Sequence, residues 1–279
     1  MSTINASSLF HFTNGRIKAL KSILTNGFRL SYCMESYTNQ LVIGIPMICF
    51  CDIPLMRTVK HRKEYGNYAI GVSKDAFRLK HFIDLNPVLY RNSIMMDKVT
   101  ESAIERMFHY TEEFRKMLGT VVEDNFEKIS QGEKYLPFGN DQQRDNLMST
   151  YSQRHLYQSQ IAYTKPYKEE NYCYYDESEW RIIGDDMGET KWIWNVDKDN
   201  KENIRKKEND RLWKNPDIYY RINSLSDISY IIVHTEKQVQ QLVSFVMKSN
   251  KLMGFNVTEK EKELLLTKIT SFERIKKDY

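Results

Sequence analysis

Cysteine is scarce in this sequence and long apolar runs are missing. The four cysteines, Cys33, Cys49, Cys51 and Cys173, form no CxxC pair. That removes zinc-ribbon and thioredoxin-like redox motifs. Cys49 and Cys51 lie two apart in an apolar run and read as small buried hydrophobes. No stretch approaches the ~18 consecutive apolar residues that cross a bilayer. The opening MSTINASSLF lacks the basic start and apolar core of a secretory signal. These gaps point to a cytoplasmic chain with reduced thiols and no membrane partner.

Several catalytic signatures are missing too. No GxGxxG occurs, which argues against a Rossmann dinucleotide site. Gly66 and Gly71 have P-loop spacing, but Val72-Ser73 stands where Lys-Ser/Thr is required. HExxH and GxSxG do not occur. The commonest dehydrogenases, NTPases, zinc proteases and α/β hydrolases are thereby excluded.

What is present supports a folded core. The 279 residues are 41% hydrophobic and 13% aromatic, enough to bury a substantial interior. Charged residues make up 28%, and the net charge of +4 neither demands nor forbids an anionic partner.

Leu9 to Thr13 reads as a strand. Ile17, Leu20, Ile23 and Leu24 then share a helical face, with Asn14 as a cap and Gly27 beyond the end. Phe28–Tyr32 and Ile45–Cys51 follow as strands, the second apolar enough for burial on both faces. Pro54 fits a helix's first turn. Tyr68, Ile70 and Val72 alternate as a strand that leads into a short helix. Helical spacing runs from about Lys98 to Ile129, and residues 130–158 read as a polar loop or helical lid. Further strands are expected at Ile161–Thr164, Tyr172–Tyr175, Trp180–Ile183, Lys191–Trp194, Ile228–His234 and Leu264–Phe272. Thr235 and Gln238 make a capping box for a helix after the fifth of these. Helices alternate with strands early and strands dominate late, which implies an α+β fold.

The densest chemistry lies in Tyr174-Tyr175-Asp176-Glu177-Ser178-Glu179-Trp180-Arg181. On a strand, Glu177, Glu179 and Arg181 would share one face. Taken alone, the stretch is more simply a solvated strand edge with a Glu–Arg pair. Upstream, His11 and Thr13 are the polar residues of Phe10-His11-Phe12-Thr13. His61 reads either as a polar residue behind the site or, the simpler account, as a surface residue of the basic run Arg57–Lys63, which could contact phosphates but is more simply a solvated helix face. Tyr172, Tyr174, Tyr175, Trp192 and Trp194 could stack bases, though sheet packing is the simpler account. Asp52, Glu177 and Glu179 could hold Mg²⁺ in a nuclease, but no recognisable metal motif is present.

The order of these pieces resembles the AbiGi family of bacterial abortive-infection proteins. The matching pattern is LFHFT, a helix ending in GF, IPMICFCDIPL, His61-x-x-x-Tyr65-Gly66-x-Tyr68 and the later E-x-E-W-R. It covers residues 8–90 and 160–183 well and 228–248 loosely. The same order is similar to the ADP-ribosyltransferase fold, and DarT-type DNA ADP-ribosyltransferases begin alike, with His-Phe-Thr. Asp52 departs from that pattern, which has an Arg before the Pro.

The second resemblance implies one ADP-ribosyltransferase-like domain over 1–279, with a split mixed or antiparallel sheet. A helical insertion is expected at about 97–158 and a charged loop insertion at about 196–217. It implies NAD as substrate, with Glu179 gripping the ribose as charge develops and Glu177 orienting the acceptor. His11 and Thr13 would hold the adenine-side ribose. Tyr32, Tyr65 or Ser31 would supply the middle position, a tyrosine there stacking on nicotinamide, with Asp52 and Arg181 near the cofactor. The expected function is an NAD-dependent ADP-ribosyltransferase toxin that modifies nucleic acid (DNA or RNA) or protein. AbiGi proteins are also described as antitoxins, which implies the alternative: a non-catalytic interaction module that binds a toxin partner.

Overall fold

The structure is a computed structural model that describes residues 7–37, 41–77, 85–124, 140–169, 172–184, 186 and 188–277. Two compact units make up the chain: residues 1–88 with 168–279, and residues 89–167.

The strands in chain order are β1 (Ser8–Thr13), β2 (Phe28–Arg29), β3 (Ser31–Ser36), β4 (Val42–Cys51), β5 (Tyr68–Ser73), β6 (Asn86–Pro87), β7 (Leu89–Arg91) and β8 (Thr164–Pro166). They continue as β9 (Lys168–Glu169), β10 (Tyr172–Cys173), β11 (Glu179–Ile183), β12 (Tyr219–Tyr220), β13 (Ile228–Val233), β14 (Lys251–Leu252), β15 (Phe255–Asn256) and β16 (Ile269–Ser271). The α-helices are α1 (Arg16–Asn26), α2 (Val59–Tyr65), α3 (Ser93–Asp124), α4 (Asp141–Ala162), α5 (Lys201–Leu212), α6 (Glu236–Lys248), α7 (Glu259–Leu266) and α8 (Phe272–Lys277).

An eight-stranded sheet organises the first unit, in the order β16-β13-β5-β1-β4-β11-β6, with β3 also paired to β4. Only the β13–β16 pair is parallel, so the sheet is mixed. Both faces are covered. On one, Leu9, Ile48, Phe50, Ile70, Val72 and Ile182 pack with Leu20 and Leu24 of α1, Leu212 of α5 and Leu242 and Val246 of α6. On the other, Phe10, Phe12, Cys51, Ala69 and Ile232 pack against Phe272 and Ile275 of α8. Strand β4 lies between these layers, which explains its unbroken apolar run VIGIPMICFC.

The helix start at α1 differs from the expected Asn14 cap. Gly15 takes the cap position, and its N–H donates to Thr13 Oγ1 at 3.2 Å. Gly66 follows α2 with φ +104 and lies against this turn. A Cβ there would meet the Thr13 carbonyl oxygen at 2.5 Å, so glycine is required. The Thr235–Gln238 capping box is formed.

Three further expectations change. The charged stretch 196–217 contains the helix α5, because Ile204, Glu208 and Leu212 are spaced by four and Leu212 is fully buried. Leu264–Phe272 does not run as one strand. Thr258 and Glu261 form a capping box that starts α7, and only Ile269–Ser271 is extended. An apolar run such as Leu264-Leu265-Leu266 fits a half-buried helix as well as a strand. Finally, Ile161 and Ala162 end α4 and extension begins at Thr164.

The second unit is a helical pair, α3 and α4, with the short parallel pair β7–β8. The helical insertion expected at about 97–158 falls inside it. Arg154 Nε donates to Thr111 Oγ1 at 3.0 Å across the two helices, and Tyr110 stacks on Tyr157 at 5.8 Å. The short helix after β5, the end of the helix expected to reach Ile129, and the first part of the 130–158 loop or lid fall on residues 78–84, 125–129 and 130–139, outside the described residues.

Candidate functional site

The register of the sheet decides which polar residues can meet. Phe10 pairs with Cys51, and Glu179 pairs with Cys51 from the other side of β4. Side chains alternate between faces. Phe10, Cys51, Glu179, Cys49 and Arg181 therefore share one face. His11, Phe50 and Trp180 share the opposite one.

The ring contacts agree with that register. His11 lies 5.4 Å from Phe28 and 5.6 Å from Phe50, both in the α1-side core. Its Nδ1–H donates to the Cys49 carbonyl at 2.8 Å. Burial pulls the imidazole pKa below 6.5, and the hydrogen bond only partly opposes this. His11 is a neutral packing histidine pinned to the backbone. The structure does not bring it together with Glu179.

Glu179 is engaged elsewhere. Its two carboxylate oxygens accept from Arg181 Nε at 2.8 Å and Nη2 at 3.1 Å. Arg181 Nη2 also donates to Glu35 at 2.9 Å. Arg181 has no exposed surface, and burial alone would lower its pKa. Glu179 and then Glu35 overcome that and hold it well above its ordinary value. The guanidinium is thus a permanent cation clamped by two carboxylates. Around it the Cys49 thiol is pushed well up, first by a hydrogen bond with Cys33, then by burial and by Glu179. Burial likewise raises Cys51. Both sulfurs stay as thiols at neutral pH and are poor nucleophiles.

Glu177 does not lie on the strand with Glu179. Residues Tyr174–Glu177 form a 3-10 turn, and Ser178 adopts φ 43 before β11 begins. Glu177 is buried and accepts from the Tyr65 hydroxyl at 2.6 Å. The Tyr65 ring lies 4.3 Å from His61, which lies 4.9 Å from Phe12. His61 is therefore a half-buried link between Glu177's partner and the core, not a surface residue of a basic run.

The remaining candidate residues make packing and hydrogen-bond contacts at separate places. Tyr32 is buried to 1% exposure, and its hydroxyl donates to the Lys191 carbonyl at 2.6 Å. Its backbone N–H donates to Asn209 Oδ1 at 2.7 Å. A ring so enclosed cannot stack on a nicotinamide. Ser31 pairs with Met47 on the β3 edge of β4. Thr13 caps the turn into α1. Asp52 Oδ2 accepts from Lys74 at 2.6 Å, and Lys74 lies 5.7 Å over Trp180. No group of three or more His, Cys, Asp or Glu side chains placed to hold a metal occurs among the described residues. Trp192 is buried, its indole N–H donating to the Gly184 carbonyl at 3.0 Å and its ring 5.7 Å from Trp194.

Sequence reasoning missed Glu35, the second clamp on Arg181. Strand β3 runs past Tyr32 to Ser36, and period two from Cys33 would have put Glu35 on the Arg181 face.

The geometry defines a mixed α/β protein whose Glu179–Arg181 motif is a buried ion cluster rather than an open carboxylate pair. Residues 26–234, more than half of the chain, match the family model "Putative abortive phage resistance protein AbiGi, antitoxin". The chain belongs to the AbiGi family. It is similar to the abortive phage resistance protein AbiGi of Lactococcus lactis subsp. cremoris, 26% identical over 259 residues, which cover 84% of this chain and 89% of that protein. No solved structure matches. The abortive-infection resemblance stands, while no structural neighbour supports the ADP-ribosyltransferase fold. The expectation of an NAD-dependent toxin is corrected: the family is described as an antitoxin. Neither description mentions NAD or a nucleic-acid acceptor. Among the described residues, no helix is long and apolar enough to cross a membrane.

Proposed function

We propose that this chain is the non-catalytic, toxin-binding member of an abortive-infection system. The observation that carries the reading is the engagement of Glu179. A transferase carboxylate must be open to its substrate's ribose, whereas this one is tied in a two-point ion pair to a fully buried Arg181. The antitoxin description of the family supports the same reading. So does the placement of His11 on the opposite sheet face. The partner is a toxin protein, and neutralisation proceeds by binding.

Expression of the chain alone in a bacterial host tests the reading. Growth stays unchanged, and co-expression with the cognate toxin restores growth that the toxin alone arrests. Glu179→Gln variants that remain folded protect as well as the parent. Growth arrest by this chain alone, relieved by Glu179→Gln, overturns the proposal.

A further inference from the structure

A cavity of about 580 Å³ opens beside α2 and α8, within the size range of small-ligand sites, roughly 300–1,000 Å³. Its lining includes the apolar side chains Leu55, Met56, Phe272 and Ile275. It also includes three cations, Arg62, Lys63 and Lys276, and one carboxylate, Glu64. Neither lysine has an ion-pair partner among the described residues.

Arg62 is held in place rather than mobile. Its guanidinium lies 3.9 Å over the Phe272 ring. Nε and Nη2 both donate to Asn67 Oδ1, at 3.1 and 2.8 Å. That leaves Nη1 with no partner among the described residues. Partial burial lowers the Arg62 pKa, a sign that this cation has lost water without gaining an anion.

A pinned guanidinium loses little rotamer entropy when it takes up an oxyanion. We propose that this cavity binds an organic oxyanion: a phosphate or carboxylate carried on an apolar body. The anion meets the Arg62 edge with Lys63 and Lys276 at the rim. The apolar body lies along Met56 and Ile275. None of these residues belongs to the Glu179–Arg181 cluster, and the cavity can fill without a toxin partner.

Calorimetric titration of the full chain at low salt tests this with phenyl phosphate, benzoate, inorganic phosphate and benzyl alcohol. Phenyl phosphate binds saturably at one site, and benzoate competes with it. Inorganic phosphate and benzyl alcohol each bind at least about tenfold more weakly, since each offers half of the recognition. Arg62→Gln weakens phenyl phosphate about tenfold or more. Lys276→Glu, on an exposed position whose reversal leaves the thermal midpoint unchanged, also weakens it about tenfold. Equal affinity for phenyl phosphate and inorganic phosphate overturns the proposal, because the contact is then diffuse charge. Full affinity in the folded Lys276→Glu protein overturns it as well.

Discussion

The two faces of the central sheet solve the burial of polar groups in opposite ways. On the α1 side, His11 is a partly buried neutral ring that needs one carbonyl, and its pKa falls. On the other side, Arg181 is buried as a full charge that needs two carboxylates, and its pKa rises. His11 on β1 and Arg181 on β11 flank β4 from its two sides, with their side chains on opposite faces of the sheet. The difference teaches that burial sets the cost, but the partners available on each face decide which protonation state survives.

Breaking the charged face should have the largest effect. Arg181→Leu strands Glu179 and Glu35 without their cation and should cost about 3–5 kcal/mol. Replacing all three together, with Leu at 179 and 181 and Met at 35, should cost distinctly less, because no unpaired charge remains. Urea unfolding of the two variants measures the contrast. A triple variant as unstable as Arg181→Leu would mean that packing, not charge pairing, holds this face.

The α1 side should respond more weakly. Asn209→Ala removes the acceptor of the Tyr32 N–H and leaves a buried donor unsatisfied, a loss of about 1–3 kcal/mol. Urea unfolding of that variant measures it. A loss beside that of Arg181→Leu would erase the distinction between the faces.

The smallest effect is a pH dependence contributed by His11. Its folded pKa is depressed below 6.5. Below that value the unfolded chain takes a proton that the folded chain refuses. The stability contributed is therefore complete above about 6.5 and declines as pH falls, by at most about 1.4 kcal/mol per pH unit. Thermal midpoints read between pH 7.5 and 5.5 should drop more steeply in the parent than in His11→Gln. Equal slopes would show that the imidazole titrates as in water.

Much of the frame was legible before any coordinates. The alternation in Leu9–Thr13 and Tyr68–Val72, the apolar run of β4 and the capping box at Thr235 each have a local physical cause. The family resemblance rested on LFHFT, the helix ending in GF, IPMICFCDIPL, the His61–Tyr68 run and E-x-E-W-R, and the chain as a whole is 26% identical to a family relative. The site was less legible. Glu177-x-Glu179-x-Arg181 reads as one strand face until Ser178 turns left-handed and sends Glu177 to Tyr65. Glu35 and Asn209 carry no local signal of their tasks, since their partners are 146 and 177 residues away.

By itself the sequence determined the strands that alternate, the helices that present one apolar face, and the lack of a membrane-length apolar run. These follow from side-chain periodicity, which acts over a few residues. Only the tertiary structure decided that His11 and Glu179 look away from each other and that Glu179 belongs to Arg181. Strand pairing sets those outcomes: a register one residue different would turn every side chain of β11 to the other face.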